Sequence, residues 1–248
     1  MSFNQFILKE QYRKVSGLGD RLKLIKEQIN WEPFRPLVAN VFYDNKDIGG
    51  RPHTDEIIVV RTMLLQSFYG LSDPELEFHV NDRLSFRNFL GFPETISDFS
   101  TIWKIRERLI LAGIEPKIWE ELQRQLDAKG YTIHKGVIQD ASFVESELGR
   151  KRHYKEKKAE KKGEKIEYTE KQQQHIDKDA TFSVKHGQVH FGYKNHIKLD
   201  VGHELIREYE VSTASLHDGE IDLVEEGDDK AYRDKGYFGA KPKAKSDA

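Results

Sequence analysis

Two aspartates far apart in the chain stand at the ends of short apolar runs. Asp140 closes Gly-Val-Ile-Gln-Asp, and Asp234 follows Lys-Ala-Tyr-Arg. Carboxylates brought together repel unless a divalent cation neutralises them, and Mg²⁺ is held by one or two carboxylates with waters and phosphate oxygens. Two such ions about 4 Å apart can activate an attacking oxygen and stabilise a leaving one, which is the chemistry of phosphoryl transfer. An aspartate at a strand end also serves as a turn cap, so position alone leaves both roles open. The chain has no cysteine. That excludes a thiol nucleophile, a disulfide scaffold and a zinc ribbon, and leaves carboxylates, histidines and hydroxyls for any reaction.

Other side chains of chemical interest surround this pair in sequence. His190, His196 and His217 invite a zinc reading, but His190 and His196, which share a strand face, are six residues and about 20 Å apart, too far to share one ion. Glu145 lies five positions beyond Asp140 and so on the opposite strand face. His217-Asp218 can position a substrate or metal, or Asp218 can cap a helix. Lys104, Arg106 and Arg108 suit phosphate contacts or entry into a major groove, or form the solvated face of an amphipathic helix.

The elements that must position these residues change character at Gly130. Before it the spacing is helical. From Thr54, read as an N-cap, Ile57, Val60, Leu64 and Phe68 form one stripe that stops at Gly70. Ser72 and Glu75 make a capping box, and Leu76, Val80 and Leu84 carry the next apolar stripe towards Gly91 and Pro93. Ile102, Ile105 and Leu109 face inward on a third helix with Lys104, Arg106 and Arg108 outside, and Pro116 to Lys129 forms a fourth. After Gly130 the pattern is β. A run between Tyr131 and Val144, then Val189 to Asp200, then Glu204 to Val211 read as an antiparallel meander, with Lys230 to Arg233 a fourth strand. The expected division is a helical domain over 1–130 and a strand-rich domain over 131–248, an α+β chain. A charged insert over 147–178 reads as a solvated helix or disordered segment.

The chain of 248 residues is 37% hydrophobic and 33% charged, with a formal net charge of −2. It carries no apolar run of the roughly 18 residues that a bilayer span needs and no secretory leader at Met1 to Lys9, so an intracellular, cytoplasmic protein is expected. Charge is segregated along it. Arg150 to Lys171 holds ten Lys or Arg against five Glu, and Asp200 to Asp229 holds eleven acids against Arg207 alone. This suits a protein that binds a polyanion with one segment and cations with another, or two solvated surfaces. In the basic run, Lys151, Arg152, Lys157 and Lys158 are the candidates for sequence-independent DNA contacts.

Taken in order, GVIQDASFVES, DATFSVKHGQVHFGYKNHIKLD, STASLHDGEID and AYRDKGYFGAKPK resemble DDE transposases of the bacterial and archaeal insertion-sequence-five group. The stretch GRPHTDEIIVV to TIWKIRERL is similar to the helical domain that precedes their catalytic fold. The resemblance implies an RNase H-like domain with Asp140 as first acid and Asp234 as second, in a D-x-G-Y pattern that includes Gly236 and Tyr237. It places a similar His-Asp pair at His217-Asp218. Both acids would bind Mg²⁺ or Mn²⁺, and the partners would be double-stranded DNA, as terminal inverted repeats and target, in a self-associated complex on the nucleoid. The family's third acid, a glutamate in Y-x₂-R-x₃-E-x₆-K, has no match here; beyond Asp234 the sequence offers only Asp247. The expectation is therefore a C-terminally truncated transposase, with strand five and its helix missing and catalysis impaired. The alternative is a non-catalytic DNA-binding remnant that regulates the full-length enzyme.

Overall fold

The computed structural model describes residues 3–42, 53–133, 135–146, 155–156, 158–164, 166, 168–173, 177–185 and 187–237. The chain divides into two compact units, Met1–Gly130 and Tyr131–Ala248. The first is helical and the second is built round a mixed sheet.

The helical unit runs α1 (Phe3–Ser16), α2 (Arg21–Gln28), a 3₁₀ turn (Glu32–Phe34), α3 (Arg35–Ala39), α4 (Glu56–Tyr69), α5 (Asp73–Asp82), α6 (Leu84–Phe89), α7 (Phe99–Leu111) and α8 (Glu115–Ala128). Their apolar faces meet in one core that includes Phe34, Val38, Val59, Leu65, Leu76, Val80, Phe86, Phe89, Ile102 and Leu109. Each such side chain contributes about 1.5–3 kcal/mol by leaving water. Helix starts are marked by side-chain caps: Asp20 on α2, Asp55 on α4 and Asp98 on α7 each accept a backbone N–H. Ser72 and Glu75 form the expected capping box on α5.

Three local readings shift. The cap of α4 is Asp55 rather than Thr54. Phe68 is about half exposed, while Val59 and Leu65 are buried. Apolar residues surround most of this helix, so spacing alone does not select the inward stripe. The stretch after Ser72 is two helices, because Arg83 is extended at φ −97° and ψ 120° between α5 and α6. Its guanidinium lies over the rings of Tyr69 and Phe86, 5.8 and 5.2 Å from their centroids.

The second unit contains β1 (Val137–Glu145), β2 (Thr181–Lys185), β3 (Gln188–Asp200), β4 (Ile206–Thr213) and β5 (Ala231–Arg233). β1 lies antiparallel along β3 from Gly192 to Asp200, and β5 lies parallel to β1. β4 and β2 take successive lengths of the other edge of β3, both antiparallel to it. β2 is an addition to the meander expected from sequence. Gly192 is where β3 serves both edges: its φ is 148°, and a Cβ there would stand 2.2 Å from the Val144 carbonyl oxygen.

The charged face of β3 is the buried one. Lys194, His196, Lys198 and Asp200 are 7, 0, 4 and 0% exposed. The acidic stretch after β3 supplies their partners. Lys194 pairs with Asp218, Lys198 with Glu208 and Asp228, and Asp200 with His203 and Arg207. Gln139 of β1 clamps the connection from β4 to β5, donating to the Ile221 carbonyl and accepting from Leu223 N–H. The opposite face carries Ile138, Ile206, Tyr209, Val211 and Tyr232, all exposed. Among the described residues no helix is long and apolar enough to cross a membrane.

Candidate functional site

Parallel pairing of β1 with β5 puts Gln139 opposite Arg233. Asp140 is the next residue of β1 and Asp234 the first residue after β5, and paired strands lie about 4.8 Å apart. Both are exposed. They line one cleft together with Ile138, Tyr232 and Lys185.

Local hydrogen bonds fix the two carboxylates. Asp140 Oδ1 accepts from Ala141 N–H at 2.8 Å. Asp234 Oδ1 accepts from Gly236 N–H at 2.8 Å and so caps the 3₁₀ turn Lys235–Tyr237. A Cβ on Gly236 would stand 2.9 Å from Asp234 Oδ1 and 3.5 Å from Asp218 Oδ2, so both carboxylates converge on this glycine.

Asp218 reaches the site from the 3₁₀ turn Asp218–Glu220. The cap of that turn is His217, whose Nδ1 accepts from Gly219 N–H at 3.1 Å; Asp218 has another role. Its Oδ1 accepts from Lys194 Nζ at 2.7 Å, and the same ammonium donates to the Leu216 carbonyl at 2.6 Å.

Tyr237 is buried behind the pair, with its hydroxyl 3.4 Å from His196 Nδ1. Burial pushes its ionisation well above the usual phenol range, and the nearby charges of Asp218, Asp140 and Asp234 push it further. The phenol thus stays neutral and senses all three aspartates. His196 is held below its ordinary value by burial, with Nε2 2.8 Å from Ser212 Oγ.

The donor set is hard oxygen, which suits Mg²⁺ or Mn²⁺. Among the described residues no three His, Asp or Glu side chains are grouped to hold a metal. The fit is therefore to an ion held by the Asp140 and Asp234 carboxylates with water and substrate oxygens. Glu145 belongs elsewhere: it contacts His190 Nδ1 at 2.6 Å, and that ring stacks on Phe143 with centroids 4.0 Å apart.

In the helical unit, Lys104 and Arg108 are exposed one turn apart on α7. They line a cleft of about 650 Å³ with His53, Thr54, Ser97 and Thr101. Arg106, expected on the same outer face, turns instead to α5. Its two terminal nitrogens donate to the two carboxylate oxygens of Asp73 at 2.5 and 2.8 Å, and one also reaches Gln66. Lys151, Arg152 and Lys157 lie outside the described residues, and Lys158 is exposed.

Residues 9–108 match a family described as a transposase domain (DUF772). The match supports a transposase family. It runs from α1 to Arg108 and so contains Lys104, Arg106 and Arg108, while Asp140 and Asp234 lie beyond the transposase domain. No solved structure matches the chain. Sequence reading weighed His196 only as a zinc ligand and passed over Lys194, and over Lys185 and Tyr232, whose neighbours in sequence give no sign of the cleft they share.

Proposed function

We propose that the chain is a DDE-type DNA transposase of the insertion-sequence-five kind, with an RNase H-like second unit and a helical unit that engages the ends of its element. The observation that carries this reading is the parallel pairing of β5 with β1, which sets Asp140 and Asp234 side by side in one cleft. The strand order supports it: β3 lies antiparallel to both β1 and β4, and β5 joins β1 in parallel. The transposase-domain match over 9–108 supports it independently of the sheet.

Asp140 and Asp234 would hold the metal ions. A bound Mg²⁺ or Mn²⁺ supplies charge neutralisation at the phosphate and a lowered pKa for the attacking water or hydroxyl. The protein's part is placement: Asp140 sits within β1, and Asp234 directly follows β5 with its carboxylate held by Gly236 N–H. Lys104 and Arg108 would contact DNA phosphates outside the cleft, as would the basic run that includes Lys151, Arg152, Lys157 and Lys158. Self-association on double-stranded DNA at the nucleoid completes this reading.

A second reading, that the chain binds element ends without cutting them and regulates an active enzyme, is favoured because among the described residues no three His, Asp or Glu side chains are grouped to hold a metal, and Asp218, which also reaches the site, is tied to Lys194. One experiment separates the two. Purified chain is mixed with labelled DNA carrying the repeats that flank its own gene, with Mg²⁺ or Mn²⁺. Cleavage that falls by more than about 100-fold in Asp140→Asn and in Asp234→Asn, with binding retained, supports the first reading, since even outer-shell partners of a metal ligand are worth 10- to 100-fold. Binding with no cleavage by the unaltered chain supports the second.

A further inference from the structure

The cleft that holds Asp140 and Asp234 contains more than carboxylates. Tyr232 is 51% exposed and Ile138 is 38% exposed, and they are paired across β1 and β5. Ile138 lies two positions before Asp140, about 7 Å back on the same face of β1, and Tyr232 lies two positions before Asp234, which follows β5. Lys185, at the end of β2, lines the same cleft and is exposed. Arg233, the other cation of the cleft, is tied to Asp222. Among the described residues neither Lys185 nor Tyr232 has a side-chain hydrogen bond, ion pair or ring contact.

We propose that this cleft takes an unpaired nucleotide next to the scissile phosphate, with its base stacked on Tyr232 and its backbone phosphate held by Lys185. An exposed aromatic on an aliphatic neighbour beside a free cation is the combination that binds single strands: every base has a π-face, and the cation follows the backbone. Inside a duplex that base face is already stacked, so Tyr232 gains only when the end is splayed. Lys185 has a further role. Two carboxylates repel a polyanion, and a free cation on the far wall offsets that repulsion where the strand enters. The inference rests on the proposed function only for the location of the cut.

The test is binding, without added metal, of the full chain to two DNA duplexes that share the element end. One is fully paired and the other has two unpaired terminal nucleotides, one of them 2-aminopurine. The unaltered chain should prefer the frayed end about ten-fold, within the range of one base stacked on an aromatic. The 2-aminopurine fluorescence should fall on binding. Tyr232→Ala should abolish both effects and Tyr232→Phe should keep them. Lys185→Ala should make the salt dependence of binding shallower by roughly 0.7–0.9 in log–log slope, the share of one phosphate contact. Equal affinity for both ends, or a preference that survives Tyr232→Ala, overturns the stacking assignment and leaves the face to a protein neighbour. An unchanged slope in Lys185→Ala overturns the phosphate assignment. Failure of cleavage with these binding results intact would defeat the catalytic reading alone, and cleavage without them would defeat this inference alone.

Discussion

Gly236 has no room for a side chain. A methyl group there meets Asp234 Oδ1 at 2.9 Å, and the carboxylate is the part free to move. We expect Gly236→Ala to leave the melting temperature nearly unchanged while reducing cleavage roughly 10- to 100-fold, because small displacements of reacting groups cost rate steeply. Paired thermal unfolding and cleavage assays check this; equal losses in both would sink it. Lys194 behaves differently. Its side chain is 9% exposed and serves Asp218 and the Leu216 carbonyl at once. Lys194→Met leaves the partly buried Asp218 carboxylate without its cation and should cost about 1–3 kcal/mol in urea unfolding, whereas Lys194→Met with Asp218→Leu should recover much of it. A double variant as unstable as the single one would contradict the pairing.

The helices α5 and α7 are joined by the Asp73–Arg106 pair, which is 15 and 28% exposed. The Arg106 guanidinium holds the Asp73 carboxyl below its usual range. A carboxyl depressed in the folded state stabilises above its unfolded value, near pH 4, and the contribution is lost as pH falls through the lower folded value. At neutral pH Asp73→Asn should therefore cost about 1–3 kcal/mol, and the gap to the unaltered chain should close in acid. A gap that is constant from pH 7 to pH 3 would show that the ion pair contributes nothing. The same pair shows what sequence can convey. The ladder Ile102, Ile105, Leu109 and the capping box at Ser72 are local patterns, and α7 and α5 form where those patterns put them. Which side chains of the outer face have partners depends on a helix 33 residues away, so Arg106 reads as free when it is not. The β unit repeats the lesson. Alternation marks β3 and β4 well, yet Lys194 and Lys198 turn inward because the acids that neutralise them arrive from the connection after β4 and from β4 itself. Asp140 and Asp234 are visible as aspartates that close apolar runs, although Asp140 proves to be the fourth residue of the nine-residue β1 rather than a strand end; their adjacency needs the parallel pairing of a three-residue strand, which local sequence does not encode.

For the molecule as a whole, part of the acidic surplus over Asp200 to Asp229 is neutralised within its own unit. Asp218, Asp222 and Asp228 lie against Lys194, Arg233 and Lys198. The helical core is self-sufficient, since all its members fall between Leu22 and Ile118. A fragment of residues 1–130 should therefore show helical circular dichroism and unfold cooperatively. A fragment that melts without a transition would mean that the helices depend on the rest of the chain. The two acids, finally, sit on strands of opposite character. Asp140 belongs to β1, which is paired with β3 along its whole length and with β5 over Val137 to Gln139, whereas Asp234 follows β5, which is three residues long and paired on one side. Backbone amides around Asp140 should be among the slowest in the unit to exchange with deuterated water, and those of 231–237 among the fastest. Any ligand that bridges the two aspartates should therefore announce itself on one side only, as slowed exchange in the turn that carries Asp234, long before β1 registers its arrival.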